Sequence, residues 1–247
     1  MTPDNRSLLH QARVLLFDLD GTLLPMNMEA FLQRYTRLLA AAVAPVIESR
    51  RFIAALWSAT AAMIENDNPQ CSNETVFWHA FTAATRLNRD AIEPLIDQFY
   101  HLQFDQLAEL TCPSELAPRI VEQAVEQGKI IVLATNPVFP AIATRARMRW
   151  AGIADFPWQL ITTYENSRYC KPKPGYYGDI LTALACTPEE CVMIGNDATE
   201  DLAAGILGIP TFIVLDCLIA RPESSFRPTA QGTLADLWQV MTGPPPR

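Results

Sequence analysis

Apolar and polar positions follow one another in blocks along this chain. Val14-Leu15-Leu16-Phe17 runs into Asp18-Leu19-Asp20-Gly21-Thr22, and Ile130-Ile131-Val132-Leu133-Ala134 runs into Thr135-Asn136. Gln159-Leu160-Ile161-Thr162-Thr163 precedes a loop that reaches Lys171-Pro172-Lys173-Pro174, and Cys191-Val192-Met193-Ile194 runs into Gly195-Asn196-Asp197. A fifth run, 211–215, follows Gly208 and Pro210. Unbroken aliphatic and β-branched runs of this length predict strands buried on both faces, as in a parallel sheet. Helical patterns fill the gaps at 113–127, 139–151, 175–185 and 199–207, the first two stopping at Gly128 and Gly152. The alternation predicts right-handed βαβ units and a Rossmann-like, doubly wound parallel sheet in three α/β/α layers. Such sheets carry their chemistry at the carboxyl ends of the strands, where the polar clusters fall.

The stretch 25–110 breaks the alternation. It holds no clear strand and four helical patterns, 28–44, 46–66, 75–87 and 89–109, separated in part by Pro45 and by Asp67-Asn68-Pro69. An all-helical insert directly after the first strand predicts a second, smaller domain. The expected division is a core of 1–24 and 111–247 and an inserted helical domain of 25–110. Near the end, 234–241 predicts a short amphipathic helix packed on the core, followed by a fraying Gly243-Pro244-Pro245-Pro246-Arg247 tail.

Composition narrows the function. With 49% hydrophobic and 19% charged residues, the 247-residue chain can bury a sizeable core. Its formal net charge of −8 argues against nucleic acid as a partner, which calls for clustered positive charge. A phosphorylated substrate stays open, since a phosphate site needs only a few local donors and a metal. The apolar stretch 54–64 is flanked by Arg50, Arg51, Glu65 and Asp67, too close together to cross a bilayer, so no membrane partner is expected. The six cysteines show no CxxC spacing and no zinc-ligand pattern, and no secretory signal precedes the first strand. Free thiols and a cytoplasmic location are the expectation.

Each polar cluster admits two readings. Asp18 and Asp20, two apart on an extended chain, send both carboxylates to one side, where they serve as nucleophile and acid/base or hold a hard cation. Equally, Asp-x-Asp-Gly is a favoured turn. Thr135 and the following backbone amides can hold phosphate oxygens, or simply end a strand. Lys171 can offset phosphoryl charge, or be a solvated lysine. Asp197 and Asp201, four apart, share one face of an incipient helix, where they complement its dipole or join Asp18 around Mg²⁺.

Taken in order, Phe17-Asp18-Leu19-Asp20-Gly21-Thr22-Leu23, Leu133-Ala134-Thr135-Asn136, Lys171-Pro172-Lys173-Pro174 and Ile194-Gly195-Asn196-Asp197 through Asp201 resemble the four motifs of the haloacid dehalogenase superfamily. The resemblance spans 14–215 and identifies the helical insert as that family's cap. It implies that Asp18 attacks phosphorus to form an aspartyl phosphate, while Asp20 protonates the leaving oxygen and then activates water. Thr135 and the Asn136 amide would bind phosphoryl oxygens, and Lys171 would offset their charge. Mg²⁺ would be held by Asp18, the Asp20 carbonyl and Asp197. Asp201 would support from behind or hold Lys171, and Asn196 could exchange roles with Asp197. Members acting on carbon–halogen bonds generally lack the second aspartate, so Asp20 favours phosphoryl transfer.

The expected activity is therefore Mg²⁺-dependent hydrolysis of a small phosphorylated metabolite by a monomer or homodimer. A phosphomutase on the same site is the alternative, and a non-catalytic binding protein is the reading from another class. The cap arginines Arg34, Arg37, Arg50 and Arg51 could meet an anionic substrate or be solvated. The cap aromatics, among them Phe31, Tyr35, Phe52, Trp57, Phe77, Trp78 and Tyr100, fit a cap core at helical spacing better than a ligand surface. Tyr164 and Glu165 could line the entrance. The cap is expected to open and close, hinging near Leu24-Pro25 and Thr111-Pro113.

Overall fold

A computed structural model describes residues 5–220 and 225–243. The last four residues of the tail expected to fray, 244–247, lie outside the described residues. Six strands form one parallel sheet in the order β3-β2-β1-β4-β5-β6, comprising β1 (Val14–Phe17), β2 (Ile130–Leu133), β3 (Leu160–Ile161), β4 (Cys191–Gly195), β5 (Thr211–Val214) and β6 (Ala230–Gly232). The first strand is central, and the chain winds outward from it in both directions.

The pleat of β1 shows why its run is apolar throughout. Leu15 and Phe17 face one side, with α1 (Asn5–Gln11), α6 (Leu116–Glu126), α7 (Ala141–Trp150) and α9 (Leu234–Thr242). Val14 and Leu16 face the other, against Tyr176, Tyr177 and Ile180 of α8 (Pro174–Leu184) and the 3-10 helix Leu202–Leu207. Both faces are covered, as a doubly wound sheet requires. The helices before β2 and after it stop at Gly128 and Gly152, both at left-handed φ.

Between β1 and β2 lie the four helices of the insert: α2 (Met28–Ala42), α3 (Ser49–Glu65), α4 (Asn73–Thr85) and α5 (Arg89–Leu102). Side chains N-cap all four of them: Asn27 accepts from Ala30 N, Glu48 from Arg50 N and Arg51 N, Ser72 from Thr75 N and Asn88 from Asp90 N. Phe31, Phe52, Phe81 and Phe99 are fully buried, and their cluster is continuous with the core on one side of the sheet. The two crossing segments run beside each other, with Met26 bridged to Thr111 and Cys112 N donating to the Pro25 carbonyl at 2.7 Å. No described helix is long and apolar enough to cross a membrane.

Five elements depart from the sequence-based expectation. The helix expected over 89–109 ends at Leu102 and continues as a 3-10 helix, Phe104–Leu110. Positions three apart eclipse in that geometry, and it buries Phe104 and Leu107 together. The helix expected over 199–207 is α-helical nowhere: Thr199 N and Glu200 N donate to Asp197 Oδ1 in a turn, and Leu202–Leu207 follow as a 3-10 helix. Strand β3 is two residues long, since the Asn166 side chain captures Thr163 N at 2.8 Å and closes a turn. Strand β6 and helix α1 have no apolar run to announce them.

Candidate active site

The carboxyl ends of β1, β2 and β4 converge on one point. Asp18 N still bonds the Ile194 carbonyl at 2.9 Å, so the Asp18 side chain starts from a fixed backbone. Lys171, fully buried, donates from Nζ to Asp18 Oδ1 at 2.9 Å and to Asp201 Oδ1 at 2.6 Å. Asp201 Oδ2 accepts from Asn196 N at 2.8 Å and Asp197 N at 2.9 Å. Thr22 Oγ1 bridges Asp18 Oδ2 at 3.2 Å and Asn196 Oδ1 at 3.1 Å, and Asn196 Nδ2 donates to the Cys217 carbonyl. The third and fourth polar clusters thus grip the first directly.

The remaining predicted residues join the same site. Thr135 is buried on the cavity wall, its carbonyl held by Thr162 Oγ1 at 2.7 Å and the Tyr176 hydroxyl at 2.9 Å. Asn136 ties two loops together, accepting from Lys171 N at 3.2 Å and donating to Glu200 Oε2 at 3.0 Å. Asp197 Oδ1 accepts from Thr199 N and Glu200 N. Both Asn196 and Asp197 line the cavity, and Asn196 is committed through both side-chain polar atoms to bracing Thr22 and Cys217.

Two further side chains, neither assigned a role from the sequence, reach the site. Arg147 on α7 is almost wholly buried, pairs its guanidinium with Asp20 Oδ2, and lies 4.4 Å from the centre of the Phe139 ring. Asp20 Oδ1 is buried without a hydrogen-bond partner. Glu200 lines the cavity beside Asp197 and Asp201. Arg147 shares the buried side of α7 with Ala143 and Thr144, while Arg145 and Arg149 alternate with it along the chain, so packing alone singles it out.

Electrostatics here are lopsided. Burial lifts the Asp18 carboxyl to about 7 against the pull of Lys171, and Asp201 and Asp20 add to the rise. Burial also raises Asp20, although Arg147 and Lys171 oppose it. Glu200 is raised to about 7, first by burial and then by its acidic neighbours, against Lys171. Burial works against the charge of Lys171, but Asp18 and Asp201 outweigh it and hold the ammonium well above its usual range. Five carboxylates, from Asp18, Asp20, Asp197, Glu200 and Asp201, line the site against two buried cations, Lys171 and Arg147.

That excess of negative charge, carried on oxygen donors only, fits a hard divalent cation. Among the described residues no three His, Cys, Asp or Glu side chains form a ready cage. Mg²⁺ needs none, since it commonly takes one or two carboxylates and completes its shell with water and substrate phosphate.

Above this floor a cavity of about 330 Å³ extends between the strand ends and the insert. Several insert aromatics that pack as core also face it, including Tyr35, Phe52, Phe77 and Trp78. Trp57 departs from the core expectation: it lines the cavity and is 42% exposed. Tyr164 lines the cavity as expected. Glu165 does not; it accepts from Ala141 N at 2.8 Å and caps α7. The four cap arginines stay away. Arg34 pairs with Glu109 at 3.3 Å, Arg51 bonds the Thr85 carbonyl, Arg37 lines a separate surface groove and Arg50 is exposed.

Fold and site together define a doubly wound α/β protein with a carboxylate-rich centre at the strand ends and helices over it. A family model described as haloacid dehalogenase-like hydrolase matches residues 12–207, and the chain belongs to that family. No curated protein sequence matches it. Among solved structures, a HAD phosphatase from Thermococcus onnurineus shares the fold at TM-score 0.58 and 17% identity, covering 95% of this chain and 99% of its own. The L-2-haloacid dehalogenase of Xanthobacter autotrophicus aligns at TM-score 0.57 and 16% identity, over 94% and 99% of the two chains. The HAD-hydrolase YfnB from Bacillus subtilis, solved bound to magnesium, aligns at TM-score 0.56 and 19% identity, over 94% and 100%.

Proposed function

We propose that the protein is a Mg²⁺-dependent phosphatase that hydrolyses a small-molecule phosphomonoester through an aspartyl phosphate on Asp18. The observation that carries this reading is the pair of unlike carboxyls on one wall. Asp18 is oriented through both oxygens by Lys171 and Thr22, while Asp20 keeps Oδ1 buried and unpartnered beside the cavity. A single displacement at carbon would give that second carboxyl nothing to do. An ester oxygen leaving phosphorus needs a proton, and burial favours the acid form of Asp20 that supplies one.

Asp18 attacks phosphorus in line with the leaving oxygen, and Asp20 donates its proton through Oδ1. Arg147 holds Oδ2, so the carboxyl keeps its direction while its charge changes. Asp20, now a carboxylate, takes a proton from water that attacks the acyl phosphate, returning Asp18. Thr135 and the Asn136 amide receive the phosphoryl oxygens, and Lys171 offsets their charge. Asp18, the Asp20 carbonyl and Asp197 are the residues that would hold Mg²⁺. Bound there, the ion would neutralise part of the acidic excess and polarise the phosphoryl group.

Release of phosphate from para-nitrophenyl phosphate tests this, with Mg²⁺ or excess chelator, for the wild type and Asp18→Asn. Turnover is expected only with metal, and Asp18→Asn should lower it by at least about a thousandfold. Turnover that survives the substitution would remove Asp18 as the nucleophile.

A further inference from the structure

The walls of the cavity separate charge from apolar surface, and that separation bears on the leaving group. Resting on the phosphatase reading above, we infer that the substrate is a phosphomonoester whose alcohol is apolar or aromatic and carries no second anionic group.

All the charged side chains lining the cavity are carboxylates: Asp18, Asp20, Asp197, Glu200 and Asp201. They gather at the strand ends, where phosphate and metal belong. Among the described residues no Lys, Arg or His lines the chamber above them. Lys171 and Arg147 stand behind the carboxylates and are spent on Asp18, Asp201 and Asp20. A carboxylate or second phosphate on the substrate would enter a chamber without a counter-ion, and its desolvation would go uncompensated.

The upper walls suit the opposite chemistry. Tyr35, Phe52, Trp57, Phe77, Trp78 and Tyr164 supply the aromatic surface. Of the polar groups on these walls, the hydroxyls of Tyr35 and Tyr100 pair with each other at 2.8 Å and Thr60 donates to the Leu56 carbonyl at 2.9 Å, while Trp78 offers a single buried Nε1 donor. A polyol would therefore leave its water behind and find few partners. The cavity, about 330 Å³, lies at the small end of ligand pockets and has room for a phosphoryl group with one ring or a short chain.

Ethyl to hexyl phosphates release alkoxides of closely similar basicity, so kcat/KM along the series reads binding of the chain. It is expected to rise about fourfold per methylene, the factor set by burial of each CH₂. 2-Phosphoglycolate and glucose 6-phosphate should fall at least tenfold below butyl phosphate. A flat series, or a preference for 2-phosphoglycolate, would overturn the inference. Trp57→Arg places a cation on the half-open wall of α3, where folding tolerates it. This variant should lose at least tenfold on hexyl phosphate relative to 2-phosphoglycolate, while Trp57→Phe keeps the wild-type order; an unchanged ratio in Trp57→Arg counts against the chamber.

Absence of turnover on every ester would strike the phosphatase reading itself. Calorimetric binding of ethyl- to hexylphosphonate, with Mg²⁺ and without any reaction, then isolates the chamber. Affinity that climbs with chain length sustains the apolar ligand, and affinity indifferent to length removes it.

Discussion

Arg147 is a charge placed where a helix faces the core, and among the described residues its only acid partner is the carboxyl assigned to proton transfer. Arg147→Met strips Asp20 of that partner and should cost about 3 kcal/mol of stability, the typical penalty for breaking a buried pair from one side. Adding Asp20→Asn should recover part of the loss, because an amide no longer needs the cation. Denaturant titration of the two variants checks this, and a double variant as unstable as the sum of the singles would sink it. Gly195 makes a different demand at the same scale. A Cβ there would lie 2.1 Å from Asp201 Oδ2, so Gly195→Ala must displace the carboxylate that holds Lys171 and two amides. We expect a loss of about 3 kcal/mol, from charge-assisted hydrogen bonds, with phosphatase activity down at least a hundredfold. Wild-type activity in that variant would mean that Asp201 does not position Lys171. The motif residues were legible because carboxylates and a lysine after apolar runs are unusual company. Arg147 was not, since three arginines alternate at 145, 147 and 149 and only packing says which one turns inward.

Elements owe their ends to partners far along the chain. Helix α7 begins at Pro140, which offers no side-chain cap, and the exposed Glu165 carboxylate reaches back to Ala141 N instead. Glu165→Ala should cost about 1 kcal/mol, as for other lost N-caps. Thermal unfolding reads the loss, and Glu165→Gln should retain part of the stability. An unchanged melting temperature in Glu165→Ala would show that the helix end is satisfied by water. The same dependence explains the misjudged boundaries. Periodicity located α5 correctly at its start, but the switch to 3-10 geometry after Leu102 answers to the burial of Phe104 and Leu107, which local propensity does not contain.

Across the whole molecule, the buried acids link folding to pH and metal. Asp18 and Glu200 titrate near 7 in the metal-free fold, well above the ordinary carboxylate range they regain on unfolding. The folded state therefore holds protons that the unfolded chain releases between about pH 4 and 7, so stability from these groups falls as pH rises through that window. A divalent cation replaces those protons. The melting temperature of chelated protein should drop from pH 5 to pH 8, and Mg²⁺ should raise it more at pH 8 than at pH 5. An increment from Mg²⁺ that is the same at both values would argue that the ion binds elsewhere.

What the sequence determined by itself was the order of layers. Runs such as Val14–Phe17 and Cys191–Gly195 are apolar at every position, and only a strand covered on both faces tolerates that. It also placed Asp18, Asp20, Thr135, Lys171, Asp197 and Asp201 at strand ends, because a parallel sheet brings those ends to one edge. The tertiary structure decided the pairings: Lys171 between Asp18 and Asp201, Arg147 against Asp20, Asn196 as a brace. It also decided that the cap turns aromatic rings, and none of its four candidate arginines, toward the cavity. Helical spacing fixes which residues share a face, but which face meets the site depends on how the helices pack, and that information is spread over contacts far apart in the chain.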